Sequence, residues 1–171
     1  MATAEEWRRA YAKQARVDLA SYELLIKART LPACQHLHFL QMACEKACKA
    51  YLCGHGVDPT ILQRSHAFIA RPLATIARRK LKQFGYRHQS WALSALRALA
   101  RRIELLAPAA DAGGTVPANC EYPWIDASGR VRTPAEHDFG LDPRRERAGL
   151  ILMKLLHSLL DDLLAETKEH R

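Results

Sequence analysis

Near the N-terminus, Trp7, Tyr11, Ala15, Leu19, Tyr22 and Leu25 recur at steps of three and four, with no Gly or Pro among them. That interval repeats on one face of an α-helix, so a long amphipathic helix is predicted from about Thr3 to Leu31, stopped by Pro32. Leu37, Leu40, Cys44, Ala47 and Tyr51 carry the same stripe through a second helix, about Ala33 to Leu52, before Gly54 and Gly56. From about Pro59 to Phe84 the pattern is again helical, but Pro72 lacks a backbone donor and crowds the preceding turn, which predicts a kink or two short helices. After Gly85, a fourth helix is predicted from about His88 to Leu106, with Trp91, Leu96, Leu99, Ile103 and Leu106 on one side.

Between Ala107 and Gly140, eight Pro and Gly residues break any long element, and an extended, partly ordered loop is expected. Tyr122, Trp124 and Phe139 are the rings that would pin it onto the rest of the protein. Asp142 reads as the N-cap of a last helix over about 141–168, with Pro143 at its first position and a leucine-rich run from Leu150 to Leu164. No stretch shows convincing strand alternation. The pattern therefore predicts an all-α fold: one domain over 1–171, an antiparallel bundle of four to five helices with a long loop before the last helix. The leucine face of that helix is wider than one seam, so it is either central or shared with a second copy, and a homodimer is expected.

Charge changes the picture at one place. The chain has 26 Lys and Arg against 18 Asp and Glu, yet no acid occurs between Pro59 and Ile103. Ten bases lie there: Arg64, Arg71, Arg78, Arg79, Lys80, Lys82, Arg87, Arg97, Arg101 and Arg102. The remaining 16 bases face 18 acids, so the whole positive excess belongs to this segment. A concentrated positive field suits a polyanion such as RNA, and Phe84, Tyr86 and Trp91 interleave with the bases. The competing reading is a solvated helix face with no ligand.

No apolar run is long enough to cross a membrane, and the charged N-terminus does not resemble a secretory signal. Five scattered cysteines suit reduced thiols, so a cytoplasmic protein without a membrane partner is expected. Cys34 with His38, and Cys44 with Cys48, have one-turn spacing, but Cys44 and Cys48 fall on or beside the apolar stripe. No paired Cys-x-x-Cys module occurs, and neither a metal nor another cofactor is expected.

Polar residues are embedded in the apolar pattern. Asp18 lies among the apolar positions of the first helix; Glu45, Lys46 and Lys49 stand among small residues of the second; His66 precedes the next apolar helix. This order resembles the HEPN family, named for higher eukaryotes and prokaryotes and for nucleotide binding. Asp18 is similar to the family's helix-one acid, Glu45, Lys46 and Lys49 to its Glu-Lys-x-x-Lys signature, and His66 to the histidine opening its third helix. The resemblance implies a helical bundle that commonly dimerises, in toxin–antitoxin or defence settings, with a nucleotidyltransferase or an antitoxin as a cognate partner.

Catalytic HEPN members are metal-independent ribonucleases whose Arg and His lie four to six residues apart near the last helix. Arg holds the phosphate, and His moves protons near neutrality. Three pairs have that spacing here: Arg29 with His36, Arg130 with His137, and Arg132 with His137. Arg132 and His137 stand ahead of the last helix as the family's motif does, and are the candidate catalytic residues. Where other members have Arg-Tyr-Pro, this chain has Glu121-Tyr122-Pro123, an acid in place of the cation. Two functions therefore compete: binding of RNA, a nucleotide or a partner protein, and ribonuclease activity through Arg132 and His137.

Overall fold

The computed structural model describes residues 2–28, 30–64, 67–108 and 118–165, and the architecture is all-α. Six α-helices are present among the described residues: α1 (Ala4–Leu25), α2 (Ala33–Cys53), α3 (Pro59–Leu62), α4 (Ala70–Gln83), α5 (Gln89–Glu104) and α6 (Arg147–Ala165). Thr3 starts α1 with a reciprocal cap: its hydroxyl accepts from the Glu6 amide at 3.2 Å, and its own amide donates to Glu6 Oε2 at 2.6 Å. The helix stops at Leu25, six residues before the predicted end. Ile26 is its C-cap, and the Arg144 guanidinium donates to the Ile26 carbonyl at 3.2 Å, satisfying one of the acceptors a helix end leaves open.

α1 and α2 pack together most extensively, and the reason lies in α2, where Ala43, Cys44, Ala47, Cys48 and Ala50 are all buried. Small side chains let two helix axes approach closely. α4 and α5 form a second pair, and α6 packs against α1, α2 and α5. Leu152, Leu155, Leu156, Leu159, Leu160 and Leu163 of α6 are buried within this one chain. The broad leucine face is therefore a product of the helix's central position, and it does not itself call for a second copy. Leu150 is the α6 leucine left well exposed.

The segment around Pro72 resolves as two helices, but the break falls before the proline. Pro72 occupies the first turn of α4, where a missing N–H removes no intrahelical bond. The Ile69 and Ala70 amides at this helix start donate to Glu104 Oε1 at 2.8 and 3.2 Å, so the last residue of α5 caps α4.

Two expectations need correction. The loop holds a two-stranded antiparallel hairpin, β1 (Trp124–Ile125) paired with β2 (Val131–Arg132), followed by a 3₁₀ turn at Pro134–Glu136. Asp126 organises its turn by accepting from Ser128, from the Arg130 amide and from Arg132. Trp124 and Phe139 are half-buried, but Tyr122 is exposed and is no buried anchor among the described residues. In addition, α6 begins at Arg147, five residues beyond the predicted cap at Asp142. Asp142 instead closes a separate turn, accepting from the Arg144 amide at 3.2 Å and from its side chain at 2.8 Å. Pro143 in that turn folds back onto Gly149, where a Cβ would lie 1.8 Å from the Pro143 carbonyl oxygen.

Candidate nucleic-acid interface

The embedded polar residues divide into two pairs. Lys46 Nζ lies 2.6 Å from Asp18 Oδ2, and Gln14 donates to the other Asp18 oxygen at 3.0 Å. Glu45 and Lys49, one turn apart in α2 and both buried, are 2.5 Å apart. Gln41 donates to Glu45 at 2.9 Å, and the Lys49 ammonium sits 5.9 Å from the Tyr11 ring centre and 5.8 Å from that of Phe68. In each pair the cation answers a carboxylate, across from α2 to α1 for Lys46 and Asp18 and within α2 for Lys49 and Glu45. His66, like Arg29, lies outside the described residues.

The candidate catalytic pair is engaged in holding the hairpin. Arg132 Nε donates to Asp126 at 2.6 Å; the Ser128 hydroxyl first, then Arg132 and the Arg130 amide, hold the Asp126 carboxyl well below the usual range. His137 lies edge-on to Trp124 and to Phe139, with ring centres 5.0 and 4.7 Å away. Neither Arg132 nor His137 lines the clefts at the basic face. Asn119 shapes the preceding turn, its side-chain oxygen accepting from the Glu121 and Tyr122 amides at 2.9 and 2.7 Å.

Cys44 and Cys48 are fully buried in the core, and burial raises both thiols, Cys44 to about 12 and Cys48 well above its ordinary value. They are packed as small apolar groups. Among the described residues, no group of three or more His, Cys, Asp and Glu side chains is disposed to hold a metal.

The basic segment separates into residues with internal work and residues facing water. Lys80 does not belong to the surface: it is buried, 2.5 Å from Asp162 Oδ2 and 2.9 Å from the Ser158 hydroxyl, and joins α4 to α6. Arg102 is exposed but binds Glu146 at 3.2 Å and the Gly140 carbonyl, which pins the segment before α6. Arg64, beyond α3, lies near Asp58 and helps hold that carboxyl low, after its bonds to Thr60. Arg71, Arg78, Arg79, Lys82, Arg87, Arg97 and Arg101 are exposed, and none has a carboxylate within ion-pair range among the described residues.

Helical spacing orders them. Arg78 and Lys82 stand seven and eleven residues beyond Arg71 in α4, which places the three on one stripe about 16 Å long. Arg97 and Arg101 are one turn apart on α5. Arg79, off the α4 stripe, borders a cleft of about 230 Å³ with Arg8, Tyr51, His55 and the Lys80–Asp162 pair.

At the turn between α4 and α5 the bases meet aromatic rings. Gly85, at φ +69°, makes that turn, and Phe84 and Tyr86 on either side face Lys154 of α6, 4.4 and 5.9 Å from the ring centres. The Arg147 guanidinium lies 4.8 Å from the Trp91 ring centre. Arg147 and Lys154 fall outside the acid-free stretch, which is why charge counting missed them. Their signal was the seven-residue spacing along the polar edge of a leucine-rich helix.

No family model, curated protein or solved structure matches this chain significantly. The likeness to the HEPN family therefore rests on the residues described above.

Proposed function

We propose that this is a HEPN-like helical protein that binds RNA along the α4–α5 hairpin without cleaving it. One observation carries the reading: among the described residues, seven exposed cations on and between two packed helices have no carboxylate within ion-pair range, and three of them line one stripe of α4. Buried or internally paired bases would be accounted for by stability, as Lys80 is. Unpaired cations in register are instead what a phosphate backbone neutralises, with release of its condensed counterions. Arg132 and His137 support the non-catalytic side, since each has a structural contact within the hairpin region.

The test is fluorescence anisotropy of labelled RNA with the full chain across a salt series, with Arg71→Glu/Arg78→Glu/Lys82→Glu as the comparison. Binding that weakens steeply with salt and is lost in the triple variant, at unchanged helicity, is expected. Equal binding by the variant would overturn the reading. RNA incubated with the protein in EDTA should stay intact; cleavage that His137→Ala abolishes would restore the ribonuclease.

A further inference from the structure

The cleft beside the α4–α5 turn carries chemistry that phosphate binding alone does not require. It is an open cleft of about 420 Å³, room on the scale of about 300–1,000 Å³ usual for ligand sites. Phe84, Tyr86 and Trp91 line it with the cations Arg87, Arg147 and Lys154 and with Gly85 and His88, and among the described residues no carboxylate joins them. Trp91, in the first turn of α5, is 45% exposed despite being the largest ring in the cleft. A Trp needed only for the core would be covered. Here one cation lies over it and the ring still presents area to solvent.

We infer that this cleft receives an unpaired nucleobase, so that the protein selects single-stranded RNA over duplex. The inference rests on the RNA-binding reading and deepens it. A base has a π-face that stacks on an aromatic ring whatever its sequence, and its flanking phosphates need cations beside that ring. The cleft supplies both, with Arg87 continuing the charge of α4 around the turn. A duplex keeps its bases stacked and paired; it can present phosphates, 2′-hydroxyls and base edges to the same surface, but no free base face to stack on the ring. Among the described residues no acid in the wall would repel the backbone.

Stacking and phosphate neutralisation leave different signatures. Loss of a phosphate contact flattens the dependence of affinity on salt; loss of a stacked base lowers affinity at every salt concentration and leaves the slope alone. The experiment titrates the full chain, and its Trp91→Ala and Trp91→Phe variants, with three labelled probes. These are single-stranded oligoadenylate, the same strand paired with oligouridylate, and an abasic ribose-phosphate strand of equal length. The wild type is expected to favour oligoadenylate over both other probes. Trp91→Ala should bind oligoadenylate about 5- to 150-fold more weakly with an unchanged salt slope, and should not distinguish it from the abasic strand. Trp91→Phe should keep most of the preference. Equal, salt-sensitive binding of all three probes by the wild type, indifferent to Trp91→Ala, would overturn the base pocket and leave the phosphate-binding reading standing. Failure of the wild type to bind any probe would overturn both.

Discussion

Lys46 reaches across from α2 to Asp18 of α1, with 2.6 Å between ammonium and carboxylate, at a site where Asp18 is almost completely withdrawn from water. Asp18→Ala removes the acceptor of both Lys46 and Gln14. A cost of about 1–3 kcal/mol is expected, since Lys46 retains partial access to water and recovers some solvation. The urea midpoint measures it. Asp18→Leu/Lys46→Met should regain much of the loss; a double variant no better than Asp18→Ala would show that the pair has no partner-specific role.

Gly149 is required by close approach. A Cβ there would meet the Pro143 carbonyl oxygen at 1.8 Å and its carbon at 2.5 Å, so backbone must move. Gly149→Ala should improve intrinsic helix propensity yet destabilise the protein by about 1–3 kcal/mol, because overpacking outweighs propensity. A variant that melts at or above the wild-type temperature would contradict the packing of the turn onto α6.

His36 gives the stability a pH dependence. Burial, and next the Arg144 guanidinium, push its imidazole below the ordinary 6.5, against a weaker opposing pull from Asp142; the Tyr22 ring lies 6.2 Å away. The unfolded chain then takes up the proton more readily than the folded one. This group costs nothing above 6.5, and its penalty grows as pH falls from there toward the depressed folded value. Urea midpoints in His36→Gln should therefore fall less between neutral and mildly acidic pH than in the wild type. An identical fall would exclude His36 as the source.

The helices were legible because each buries a stripe that repeats at the helical interval, and α2 was placed to within a residue at its C-terminal end. Their ends were less so where distant side chains decide them. α1 stops where Arg144 takes the Ile26 carbonyl, and α6 is delayed by a turn that depends on Gly149, contacts that no local pattern records. Asp126 made a hairpin out of a stretch too short to alternate. At the candidate site, charge counting found the face but not which bases serve it: nothing in the run Arg78-Arg79-Lys80 marks Lys80 as the buried one. The helical interval does so only once Leu73, Ile76, Ala77 and Leu81 are known to face inward.

That division between neighbours on α4 can be measured directly. Lys80 and Arg78 are two residues apart, carry the same charge, and face opposite environments: Lys80 donates to Asp162 and Ser158 inside the α4–α6 contact, and Arg78 is exposed. Lys80→Met keeps the length of the side chain and removes the charge, leaving Asp162 to solvation at its half-exposed position. It should shift the thermal midpoint while the salt dependence of RNA binding stays as in the wild type. Arg78→Met should do the reverse, leaving the midpoint unchanged and reducing the slope of log affinity against log salt by about 0.7, the contribution of one phosphate contact on a single strand. If both variants lowered the slope equally, Lys80 would have to leave its Asp162 contact on binding, and the partition of the basic segment into buried tie and exposed face would fail.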